Sequence, residues 1–168
     1  EYNGNPYGIW NLLLEAAIDE CEYFYQCGSD IQHITKDWDH YFVRTLKKNN
    51  NIGITGGVDK HFWLERIFRN LNGILENVFF HKTHYKIFKR FINPKFKSWY
   101  GDDYISQVYR HHNATFISSN HLYFNANRVG GQQPDKNRYD PTTEMEKTWR
   151  DIAKEDSKFI KEYIKINK

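Results

Sequence analysis

The chain has 168 residues, 39% hydrophobic and 27% charged, which suits one folded domain with a sizeable core and excludes a disordered tail. A net charge of +3 with no dominating basic block gives no ground for nucleic-acid binding, and no apolar run approaches a membrane span. Aromatic residues reach 17%, so Tyr, Phe and Trp must fill much of the core, with polar edges to spare for flat ligands such as sugars or bases.

The spacing of Ile9, Leu12, Leu13 and Ala16 predicts a helix over residues 6–19, with Pro6 suited to its first turn. The aromatic run at residues 22–26 predicts a strand covered on both faces. Gly28 then lets the chain turn, which delivers Asp30 to the carboxyl end of a central strand, where open α/β sheets hold their ligands. Cys21 and Cys27 stand at the two ends of this strand, about 20 Å apart, too far for a mutual disulfide.

Asp37 is placed to cap a helix over Trp38–Lys48, whose apolar stripe is Trp38, Phe42 and Leu46. Three asparagines break that helix, and residues 51–56 predict a second strand. Phe62, Leu64 and Ile67 mark a helical turn, Val78–His81 a third strand, and Thr83 the cap of a helix over residues 85–91 that ends before Pro94. His81 and His84 straddle a strand-to-helix boundary, which argues against a joint metal site, and His111 and His112 read as solvent-facing.

Trp99, Tyr100 and Gly101 lead into Asp102 and Asp103, which open a helix over residues 102–109. Two short strands follow, at residues 115–118 and 122–125, then a Gly-rich loop at residues 129–134 and a charged helix over Thr143–Ile166. The plain structural alternative is that Asp30 caps a turn and the Asp102-Asp103 pair caps a helix.

Four segments in this order resemble the glycosyltransferases of the GT-A fold. They are Asn11-Leu12-Leu13 with Ala16-Ala17, then Tyr23 to Asp30, then Phe80 to Phe88, then Pro94 to Ile105. The resemblance runs from about Asn5 to Tyr139. It implies an α/β, GT-A-like (nucleotide-diphospho-sugar transferase) mixed sheet flanked by helices, with a C-terminal helix. It also implies that residues 1–168 form a single catalytic domain, as the C-terminal part of a longer one whose N-terminal nucleotide-binding portion is missing. Glu1-Tyr2-Asn3-Gly4-Asn5 likewise read as the middle of a protein.

The family's DxD-type motif falls on Gly28-Ser29-Asp30, where only the last acid survives. By resemblance Asp30 would hold Mn²⁺ or Mg²⁺ on the diphosphate of a sugar nucleotide, beside Ser29; hard cations prefer such oxygens. The second acidic motif falls on Asp102-Asp103, one of which would be the general base or position the acceptor hydroxyl, with Asp103 preferred. His121 is the best-placed late histidine for the metal, with a structural role as its alternative. Arg138 would reach the diphosphate, or make a surface ion pair.

The implied activity is metal-assisted hexosyl transfer from a nucleotide-sugar donor to a hydroxyl of a carbohydrate or glycoprotein acceptor. The alternative is a non-catalytic, glycosyltransferase-like sugar-binding or assembly module, suggested by the missing acids at Gly28 and Ser29. A metal-dependent phosphoesterase would need a denser cluster of His and Asp.

Overall fold

The computed structural model describes residues 5–60, 74–97, 99–126 and 143–167. Five strands form one mixed sheet: β1 (Tyr23–Gln26), β2 (Ile31–His33), β3 (Ile54–Asp59), β4 (Val78–His81) and β5 (Thr115–Asn125), in the order β1-β4-β3-β5-β2. β3 and β5 run parallel and every other pair is antiparallel. The helices are α1 (Pro6–Ala17), α2 (Trp38–Lys48), α3 (Thr83–Phe88), α4 (Gly101–Arg110) and α5 (Thr143–Ile166). The fold is therefore α/β, a mixed sheet flanked by helices with a C-terminal helix.

β1 corrects the expectation of a central strand. It lies at an edge of the sheet and pairs only with β4 among the described strands, and all four of its residues are partly exposed. The centre is β3, whose glycines admit close neighbours: a Cβ on Gly57 would come within 2.2 Å of the His121 carbonyl oxygen. β2 was not foreseen; its three residues lie where the sequence showed only the end of a turn. The sheet curls strongly enough that Tyr25 on β1 and His33 on β2 bring their rings to 5.2 Å, although these strands are the two ends of its order.

The two late strands expected from sequence are one strand with an irregularity. Gly56 pairs with Ile117 but Val58 with Leu122, so the extra residues of β5 bulge where the apolar pattern broke. Residues 61–73, expected to hold a helical turn at Phe62, Leu64 and Ile67, and the loop at residues 129–134 lie outside the described residues.

The sheet buries both faces. On one, α2 packs Phe42 and Leu46, one helical turn apart, against Phe79. On the other, α1, α4 and α5 enclose a larger core that includes Leu14, Ile54, Phe80, Ile105, Val108 and Ile160. α2 keeps its expected span without its expected cap, because Asp37 sits in a left-handed conformation (φ 55°) and its side chain makes no capping bond. The helix stops where Asn50 and Asn51 turn left-handed at φ 56° and 57°, a conformation asparagine tolerates.

α1 shows the opposite face to the one its aliphatic residues suggest. Ile9, Leu12 and Leu13 are 43%, 47% and 61% exposed, whereas Tyr7 and Leu14 are buried. The aromatic stripe prevails: the Trp10 ring lies 5.3 Å from Tyr7 and 6.1 Å from Phe91. Asn5 caps the helix by accepting from the Gly8 N–H at 3.0 Å.

Candidate active site

A cavity of about 640 Å³ opens beside the carboxyl ends of β1 and β5, with Gln26 and Asn125 in its wall. Its size suits a small-molecule ligand. Three features make it chemically distinctive. Asp30, Glu76, Asp102 and Asp103 line it, the aromatic side chains of Tyr7, Trp10, Trp99 and Tyr100 wall it, and Gly28 and Gly101 let Asp30 and Tyr7 pack close against the backbone.

Asp30 sits in the bend that joins β1 to β2. Its carbonyl accepts from the Ala126 N–H at 2.9 Å, which ties the bend to the end of β5. A Cβ on Gly28 would come within 2.2 Å of Asp30 Oδ1, so glycine is what lets the carboxylate fold back over its own chain. Ser29, in the same bend, is exposed and is not a lining residue.

Asp102 and Asp103 occupy the first turn of α4, where the helix dipole favours negative charge. Both are half-buried. Burial first, and the neighbouring Asp102 charge second, push the Asp103 carboxyl up to about 6, while Arg150 and Arg110 pull the other way. An acid held there is poised to exchange a proton near neutral pH.

Glu76, just before β4, was not singled out from sequence. It accepts from the Tyr123 hydroxyl at 3.2 Å, and Tyr123 stands in register with buried Asp59 at the end of β3. The signal available was weak: one acid two residues before a strand, its place at the cavity set only by how the strands assemble.

α1 holds one wall. Asn11 Oδ1 accepts from the N–H groups of Phe91 (2.7 Å) and Ile92 (3.0 Å), and Asn11 Nδ2 donates to the Ile92 carbonyl at 2.9 Å. Phe91 and Ile92 both line the cavity.

His121, the other candidate among the described residues, lies apart. Expected beside Asp30, it is in the β5 bulge on the α2 side: its ring stacks on Tyr41 at 4.1 Å and its Nδ1 bonds the Ser118 hydroxyl. Its partners are those of a structural histidine, and it is not among the residues lining the cavity. Arg138 lies outside the described residues.

His81 and His84 do not converge, as their boundary position suggested. His81 Nδ1 pairs with Thr83, whereas His84 is buried between Tyr109 and the Phe91 carbonyl. His111 is exposed, but His112 corrects the sequence reading by donating from Nε2 to the Ser157 carbonyl at 2.7 Å. Cys21 and Cys27 are both free thiols.

Among the described residues, no three His, Cys, Asp or Glu side chains group closely enough to hold a metal ion by themselves. Among the same residues, no helix is long and apolar enough to cross a membrane. Comparison with models of protein families, with curated proteins and with solved structures finds no match.

Proposed function

We propose that the protein transfers a hexose-like sugar from a nucleotide-diphosphate donor to a hydroxyl of a carbohydrate or glycoprotein acceptor, in the manner of a GT-A glycosyltransferase. The observation that carries this reading is the convergence of two distant acidic segments. Asp30 and the Asp102-Asp103 pair, assigned different chemical tasks, line one cavity. The plain capping alternative gives no reason for them to meet.

The donor set fits a hard cation. Mg²⁺ and Mn²⁺ take oxygen ligands, and Mg²⁺ typically uses one or two carboxylates with water and substrate phosphates, so a three-acid cage is not required. Asp30 is the chief carboxylate for that task, and Glu76 is a second at the same cavity. When bound, Mn²⁺ or Mg²⁺ would offset the charge that develops on the departing diphosphate.

The remaining work falls to the chain's own groups. The acceptor oxygen bonds to the anomeric carbon as the bond from that carbon to the diphosphate breaks. The acceptor proton passes to the Asp103 carboxylate, whose elevated proton affinity suits the task. Asp102 orients the acceptor hydroxyl, and Trp10, Trp99 and Tyr100 present flat apolar faces with polar edges to the sugar rings.

One observation favours a second reading. The DxD-type position retains a single acid, and Ser29 is exposed and not among the lining residues, as in a module that binds sugar without turning it over. Donor turnover separates the two. With Mn²⁺ and a UDP- or GDP-sugar, the wild type should release nucleotide and Asp103→Asn should lose most of that release. No nucleotide release above background from the wild type, with or without Mn²⁺, would leave the binding-module reading.

A further inference from the structure

α4 begins without the usual means of capping. Its N-cap residue, Tyr100, is left-handed at φ 62° and its side chain makes no capping bond. The first N–H groups of a helix have no partner within it, and a Ser, Thr, Asp or Asn ordinarily supplies one. Here the partner comes from another helix: the Gly101 N–H donates to the Tyr7 hydroxyl at 3.1 Å, in a buried bond spanning 94 residues of sequence. The two residues that follow Gly101 are Asp102 and Asp103.

The contact is fitted on both sides. A Cβ on Gly101 would lie 2.3 Å from the Tyr7 ring, so the ring occupies the volume that any other residue would need. Tyr7 is itself anchored. Its N–H bonds the Lys97 carbonyl at 3.5 Å, its ring rests on Trp10, and Asn11 fastens the same helix to Phe91 and Ile92. α1 thus reaches across the cavity wall to the start of α4.

We propose that Tyr7 is a positioning residue, whose hydroxyl caps α4 across the fold and thereby holds Asp102 and Asp103 at the cavity; its catalytic consequence rests on the glycosyltransferase reading. The charged groups around Asp103 are Asp102 and Arg110 on α4, Arg150 on α5, and Asp30 and Glu76 in the cavity wall. None of them is altered by changing Tyr7. Loss of the cap loosens the first turn, admits water to Asp103 and lowers its proton affinity, since burial is the main reason that affinity is high.

Tyr7→Phe keeps the ring and removes only the hydroxyl. It should lower kcat for sugar transfer about tenfold while leaving the donor KM nearly unchanged, as expected when a reacting group is misplaced. Carbon-13 titration of the Asp103 carboxyl, read without substrate, should show the midpoint falling by roughly one pH unit in Tyr7→Phe. Gly101→Ala tests the contact from the other side. Alanine is the better helix former, yet here it should destabilise by displacing the ring.

An Asp103 midpoint unchanged by Tyr7→Phe, or Gly101→Ala more stable than the wild type, overturns the proposal. A wild type without transferase activity whose Asp103 midpoint still moves in Tyr7→Phe would refute the functional reading and leave the positioning role supported.

Discussion

Asp30 and Asp103 line one cavity, although the first closes the bend after an edge strand and the second stands in the opening turn of a helix. α1 lines the same cavity through Tyr7 and Trp10 and braces the start of α4 through the Tyr7 hydroxyl. This arrangement places two carboxylates from distant segments at one cavity, where the proposed reading gives Asp30 the metal and Asp103 the proton.

The pH dependence of transfer should follow Asp103. With its carboxyl held at about 6, the charged base is depleted below that pH, so kcat/KM should fall about tenfold per unit on the acid side and level off above it. The same shift costs stability. The folded state keeps this proton more tightly than the unfolded chain does, so the contribution is best at low pH and is lost as pH rises through 6. Asp103→Asn should therefore gain about 1 kcal/mol in urea denaturation at neutral pH, after allowance for solvent screening. It should lose about a hundredfold or more in transfer rate.

His84 should make the fold acid-sensitive with the opposite sign. Its Nε2–H donates to the Phe91 carbonyl, which leaves Nδ1 to accept from the Tyr109 hydroxyl. Burial pushes its pKa down to about 4, so the unfolded chain binds the proton first. The stability it confers is present above pH 6.5 and is lost as pH falls from there towards 4, by about 3 kcal/mol in all. Denaturation midpoints measured across that range should show this slope in the wild type, and His84→Gln should flatten it.

A third prediction concerns α5. Asp156 is buried, and one of its oxygens, Oδ2, accepts from Arg90 at 2.8 Å, Asn93 at 2.9 Å and the Tyr104 hydroxyl. Removing the acid strands three donors, one of them charged, so Asp156→Ala should cost about 3 kcal/mol. Tyr104→Phe removes one donor of the three and should cost about 1 kcal/mol. Equal losses in the two variants would contradict the shared-acceptor picture.

Asn11→Ala should cost about 2 kcal/mol, because it leaves two N–H groups and a carbonyl at Phe91 and Ile92 without their side-chain partner. Since those residues line the cavity, donor affinity should weaken along with stability, which calorimetry on the folded variant would show.

What sequence revealed divides along physical lines. α2 and α5 were legible to the residue because amphipathic spacing and helix-ending asparagines are local signals. The outward face of α1 was misread because Ile9, Leu12 and Leu13 follow helical spacing as well as Tyr7, Trp10 and Leu14 do; only packing chooses between two apolar faces. β1 was taken as central because aromatic runs mark burial, but here rings from α2 and β4 supply that cover at an edge. Asp30, Asp102 and Asp103 stand out from their neighbours in sequence, and all three line the cavity. Glu76 and Tyr7 do not stand out, since each joins the cavity through a contact with a distant segment.

The most direct test is calorimetric titration of the protein with UDP and with GDP, in the presence and absence of Mn²⁺, for the wild type and Asp30→Ala. Mn²⁺ should tighten binding of one nucleotide at least about tenfold in the wild type, equal to about 1.4 kcal/mol, and Asp30→Ala should abolish that gain. Binding that ignores Mn²⁺, or that is unchanged in Asp30→Ala, would contradict a metal-assisted sugar transferase at this cavity.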